Sequence, residues 1–256
     1  MANVLVENAT LQSIADAIRN KTGKTETMLP AEMPAEISGI ETGDKHYDAF
    51  WDNYQQNGER KDYRYAFAGY AWNGDILKPK YSMSPVNARG MFTQNQITDL
   101  FSILKNNGIT LDFSQAIYAQ SCFDSCAIEE LGILDFSSCT NMTSTFSSCM
   151  TAKIEMIVFP EKIGNYSSCF TAANKLTNLT AAGIIAVSIN FQWSPLSVES
   201  MRSIILCLKN YAGTDNANKY TVKFSDNCWA ALEADSTAPD GGTWANYVSN
   251  TLCWNI

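Results

Sequence analysis

The chain has 256 residues, 46% of them hydrophobic, and a formal net charge of −8. That is enough apolar material for a sizeable core. With 18 Lys+Arg against 26 Asp+Glu and no basic run, it lacks the phosphate-tracking stripe of a nucleic-acid or anionic-membrane binder. An acidic surface equally serves solubility alone.

The first residues, Met1 to Asn8, show neither a basic n-region nor the apolar stretch of a signal peptide, and no later segment approaches a membrane span. The expectation is a chain made in the cytoplasm, with its eight cysteines as reduced thiols packed like small apolar residues. Cys122 and Cys126 are the only close pair, spaced CxxxC without a matching second pair or a nearby His. No metal site and no other cofactor is expected.

Leu11, Ile14, Ala15 and Ile18 follow helical spacing behind Thr10 as an N-cap, and a second short helix starts at Pro30 and carries Met33 and Ile37. Helices this short do not bury their apolar faces alone. Residues 1–43 are therefore read as attachment or oligomerisation helices, with Leu11, Ile14, Ile18, Met33 and Ile37 as contacts. Residues 44–90 form an aromatic-rich linker and cap, with ten aromatics between His46 and Tyr81. The alternation Tyr63-Arg64-Tyr65-Ala66-Phe67 reads as a strand.

From about residue 91 to 194 the chain repeats. Phe113, Phe136 and Phe159 form one series and Phe123, Phe146 and Phe170 a second, at an interval of about 23 residues, and Cys126 and Cys149 share it. Phe92 precedes the second series, behind an insertion from Thr98 to Gly108. Each unit holds a short apolar strand (109–113, 131–136, 154–159) and a polar return. The expected fold class is α+β: a short helical N-terminus, an aromatic-rich capping region, a leucine-rich-repeat-like β solenoid and an α/β C-terminal cap over 195–256. Within the cap, Ser197 is a helix N-cap followed by Val198, Met201, Ile204, Ile205 and Leu208; 220–224 alternates as a strand; Asp226 or Asn227 starts a helix through Leu232.

The segment from Leu134 to Cys149, with Asp135-Phe136-Ser137, Thr140-Asn141-Met142 and Phe146-Ser147-Ser148-Cys149, resembles the BspA-type leucine-rich repeats. Residues 11–23 followed by Pro30-Ala31-Glu32-Met33 look like the N-terminal module of tail and other structural proteins from phages and prophages of Gram-positive bacteria. The aromatic segment 47–81 resembles what joins these parts in such proteins. The resemblances cover most of residues 8–190, and Gly241 to Ile256 lies outside them.

The resemblance implies a virion location, other virion structural proteins as partners, a homotrimer, and attachment to a host cell-wall polysaccharide or surface protein. Candidate ligand-binding residues are Tyr63, Tyr65, Trp72, Trp193, Trp244 and Trp254, whose rings suit stacking on sugars, although rings of this size more often serve a core or a cap. A structural decoration or assembly protein with no receptor of its own fits the same features. A bacterial surface adhesin fits less well without a signal peptide or wall anchor. Catalysis is not expected. Asp112 and Asp135 recur at the repeat interval and superficially resemble a glycosidase pair. Repeated Asp more often accepts a turn N–H; His46 is the sole histidine, and no GxSxG, HExxH or phosphate-loop motif is present.

Overall fold

The computed structural model describes residues 62–69, 82–106, 108–235 and 238–256. The predicted attachment helices, with Leu11, Ile14, Ile18, Met33 and Ile37, and the candidate Trp72 lie outside the described residues.

Five eight-residue turn units, 62–69, 87–94, 118–125, 141–148 and 165–172, lie one on another, joined at their first residues by parallel bridges from Asp62 through Asn87, Tyr118 and Asn141 to Asn165. Inside each unit the fourth and eighth residues are left-handed: Tyr65 and Gly69, Gly90 and Gln94, Ser121 and Ser125, Ser144 and Ser148, Ser168 and Ala172. This geometry aims alternate N–H groups at the next unit. Met142, Ser144, Phe146 and Ser148 donate to the carbonyls of Asn165, Ser167, Cys169 and Thr171 at 2.8–3.4 Å, and the three preceding units repeat the pattern. The intervening N–H groups close local turns, as in Thr145 to Met142 and Ser147 to Ser144. Asx turns satisfy the third residue, where Arg64, Arg89, Thr143 and Ser167 donate to the side chains of Asp62, Asn87, Asn141 and Asn165. From the second residue onward, the main-chain N–H groups of the first four units are thereby paired, apart from Gln120 N, whose unit begins with Tyr118 rather than an Asx residue.

The sixth residue of each unit points inward. Phe67, Phe92, Phe123, Phe146 and Phe170 stack with centroid separations of 5.1–5.5 Å, and the column continues through Phe191 and Phe224. Phe113 and Phe136 form a second contact at 5.1 Å, each also edge-on to the main column. Stacked rings of this kind contribute roughly 0.5–1.5 kcal/mol per pair beyond burial of their area.

Three strands, β1 (Glu130–Asp135), β2 (Lys153–Phe159) and β3 (Asn178–Gly183), form a parallel sheet in that order, and β4 (Ile189–Asn190) pairs with β5 (Val222–Lys223). Leu131, Leu134, Ile154, Ile157 and Leu179 face the core. Gly183 ends β3 with φ +80 against the Phe159 backbone, where any Cβ would collide with the Phe159 carbonyl. Helix α1 (Leu100–Asn106) occupies the insertion before β1. Helix α2 (Val198–Leu206) is capped by Ser197, whose side chain accepts from Ser200 N. Helices α3 (Asp226–Asp235) and α4 (Trp244–Asn246) and a π-helical turn (Tyr247–Thr251) complete the described chain. An ion pair between Arg202 and Asp235 ties α2 to α3. The Glu233 carboxylate accepts from Trp244 N and Ala245 N at the start of α4.

The expected β solenoid is corrected by this arrangement. Among the described residues the fold is α+β with four helices, continuous strand pairing is limited to two short parallel sheets, and no closed or solenoid sheet forms. Much of each repeat interval is left-handed turn rather than strand. The Thr98 carbonyl accepts a single hydrogen bond from Glu129 N, just before β1, and after Thr98 the chain leaves as α1. At the other edge, Leu179 N and Ala181 N donate to Ser200 Oγ and Ser203 Oγ of α2 at 2.8 and 3.0 Å, so serine hydroxyls take the place of a fourth strand. The expected strand at 63–67 is a turn unit, because Tyr65 is left-handed and the buried residues are Tyr63, Ala66 and Phe67 rather than every second one. Residues 109–113 contribute only the bridge from Leu111 to Met83.

Phe146 is fully buried at the middle of the column. Phe146→Ala is expected to lower unfolding free energy by about 3–5 kcal/mol, read from the urea midpoint. The exposed-ring truncation Trp193→Ala should stay within about 0.5 kcal/mol.

Candidate functional site

The outward face of the β1–β3 sheet lies between the two helices that close its edges. Register places Glu130 beside Lys153 and Lys153 beside Asn178, with Ile133 beside Met156 in a second row. On the β1 side, Phe101 of α1 lies across Gly132, where a Cβ would come within 2.9 Å of the ring. The space there is a cavity of about 390 Å³ bounded by Phe101, Lys105, Leu111, Glu130, Ile133 and Glu155. On the β3 side a cavity of about 420 Å³ is bounded by Asn178, Thr180, Glu199 and Ser203. Lys153 and Glu155 line both, so the two join into one groove running across the strands. Its floor mixes two carboxylates, a lysine, an amide and hydroxyls with Ile133, which is 54% exposed.

A second recess, of about 340 Å³, opens where the stack of turn units stops. In each of the five units the column Phe follows the first residue by five positions. In the next layer Phe191 follows Asn190 directly yet still stacks on Phe170 at 4.4 Å. The later layer thus takes a shorter path and leaves open ground above residues 165–168, bounded also by Ser188, Ile189, Asn190, Thr221 and Lys223.

The aromatic residues singled out from sequence are not brought together. Tyr63, Trp244 and Trp254 are core residues, and Trp254 satisfies its indole N–H by donating to Lys209 O at 2.7 Å. Tyr65 and Trp193 are exposed, at 52% and 53%, but lie beside opposite ends of the Phe67 to Phe191 column, and neither lines the groove. Tyr65 is laid over Gly90, which has no Cβ to displace it. The groove residues carried no signal beyond being the outward positions of strands, interleaved with the apolar ones.

Asp112 and Asp135 each accept a backbone N–H two residues on, from Ser114 and Ser137 at 2.9 Å, which is Asx-turn work. No cluster of three or more His, Cys, Asp or Glu side chains that could hold a metal ion occurs among the described residues. All eight cysteines are free thiols. Burial pushes Cys126 up to about 12 and Cys139 up to about 11, and lifts Cys122, Cys149 and Cys169 as well. They behave as apolar packing rather than as nucleophiles. No helix among the described residues is long and apolar enough to cross a membrane.

A scan against protein-family models, a search of curated proteins and a search of solved structures each gave no match.

The thiols set a pH limit. The folded-state values of Cys122, Cys126, Cys139, Cys149 and Cys169 lie above those of the unfolded chain, so their contribution to stability is full below about pH 9 and declines as pH rises toward the value of about 12 for Cys126. Urea midpoints should hold from pH 7 to 8.5 and then fall. At pH 8, a thiol reagent should modify the half-buried Cys207 and Cys253 first, and the remaining six only on unfolding.

Proposed function

We propose that this chain is a non-catalytic binding protein of a bacteriophage-like particle. It is attached through residues 1–43 and engages a polymer of the host surface through the groove over β1–β3. The observation that carries the binding part is the groove itself. It crosses two strand spacings, about 10 Å, before reaching the walls of α1 and α2, and is open along its length. An elongated ligand fits such a trough better than a small enclosed one. Its floor offers donors and acceptors of both signs for hydroxyl-rich or peptide-like partners, while Ile133 and Phe101 supply apolar contact.

The particle location, after synthesis in the host cytoplasm, is supported by the resemblance of residues 8–190 to tail-type structural proteins. So is assembly as a homotrimer through residues 1–43. Several copies on one particle turn weak individual sites into avid attachment. Cell-wall polysaccharide is the favoured host polymer, and no nucleic acid, membrane or cofactor is invoked.

The test is binding of the full chain to intact Gram-positive cells and to their extracted wall polysaccharides, with the native mass measured in parallel. Saturable binding is expected, at a mass three times the 28.3 kDa of the chain. Ile133→Asp and Glu155→Arg should each weaken it by about tenfold, the effect of losing roughly 1.4 kcal/mol, while Trp193→Ala leaves it intact. Undiminished binding by both groove variants would move the site elsewhere. No binding to any host material would favour a decoration or assembly protein.

A further inference from the structure

We propose that the recess above residues 165–168 is an oxyanion site that takes a phosphate or a phosphodiester group. The inference is independent of the groove. It starts from the row of left-handed fourth residues: Tyr65 N, Gly90 N, Ser121 N and Ser144 N each donate to a carbonyl of the following turn unit, at 2.8–3.0 Å. Ser168 is the fifth member of the row, with φ 55 like the others, and no sixth unit follows it. Its N–H has no protein acceptor among the described residues. An oxygen bound in the recess would stand where the next carbonyl stood in the four earlier cases.

What surrounds Ser168 is a set of donors. Asn165 Oδ1 and Asn190 Oδ1 are already used by Ser167 N and Gln192 N, at 2.6 and 2.9 Å, which leaves the Nδ2 of each amide to donate. Ser188 Oγ accepts from Thr221 N at 3.0 Å, so its own hydrogen is available. Lys223 is held beside Asn190 by the β4–β5 pairing and brings the cation. No carboxylate lines the recess, although the chain as a whole carries a net charge of −8. A carboxylate-free pocket with amide and hydroxyl donors, one ammonium and a free backbone N–H in an αL turn is a composition suited to a multi-oxygen anion.

The experiment is an amide-resolved NMR titration of the full chain with inorganic phosphate, against sodium chloride at equal ionic strength. Phosphate should move the Ser168 amide proton downfield and slow its exchange with solvent, leaving Ser144 unchanged. Lys223→Gln should weaken the response by about tenfold or more, as expected on removing a charge-assisted hydrogen bond, whereas Ile133→Asp in the groove leaves it as it was. A parallel arm with a glycerol-phosphate polymer distinguishes the sources. Perturbation of the same amides at lower phosphorus concentration assigns the site to a polymer phosphodiester, and a response to inorganic phosphate alone assigns it to the free anion. An unmoved Ser168 amide in both arms, or an equal response to chloride, overturns the proposal.

Discussion

Each turn unit is fastened to the next by four N–H groups that leave the backbone on the same side, and that requires a left-handed residue at every fourth position. From Tyr65 to Ala172 the left-handed positions are filled by Ser, Gly, Ala, Gln and Tyr, with no β-branched residue among them. The αL region costs an ordinary side chain roughly 1–2 kcal/mol, and β-branched residues tolerate it least. The hydrogen bonds between units offset that cost only if all four form together, which makes the stack cooperative. Ring stacking follows from it, since the sixth residue of every unit is delivered to the same line at the spacing that the hydrogen bonds impose.

The same constraint places the two surface features. The sheet is short because the insertion 98–108 becomes α1 on one edge and the serines of α2 satisfy the other. A sheet closed on both edges by helices has a walled outer face, which is the groove. The recess exists because the layer after Ala172 reaches the phenylalanine column by a shorter path, so the rows of inter-unit donors end at Tyr166, Ser168, Phe170 and Ala172 without a protein acceptor among the described residues, and Ser168 is the left-handed one that opens on the recess. Buried thiols at Cys122, Cys126, Cys149 and Cys169 fill the narrow space under the turn units, where a larger side chain would push adjacent units apart.

Some of this was legible in the sequence. Phe123, Phe146 and Phe170 recur at a regular interval and do stack. Ser197 caps the helix it was expected to cap, and the segments at 222–223 and 226–235 take the expected forms. The architecture was not legible, because a period in the low twenties says that units stack but not whether they stack through strands or turns. Nothing in Ser121, Gln94 or Tyr65 announces a positive φ, which a sequence signals reliably only through glycine. The run Tyr63 to Phe67 imitates strand alternation while its buried positions are spaced by three and one. Trp244 and Trp254 were candidates for ligand stacking whose size favoured the core, and the core is where both lie. Residues such as Lys153 and Glu155 appeared as solvated strand positions and acquire meaning only from the helices beside them.

The most direct measurement on the left-handed ladder compares two adjacent serines. Ser148 is exposed and left-handed with φ 52, while Ser147 next to it has no positive φ and donates to Ser144 O. Urea midpoints for Ser148→Gly, Ser148→Val, Ser147→Gly and Ser147→Val should show opposite signs at the two sites. Glycine is neutral or stabilising at 148 and valine costs about 1–2 kcal/mol there, whereas at 147 glycine is the more damaging of the two. Equal responses at both positions would contradict the left-handed ladder as the element that holds the units together.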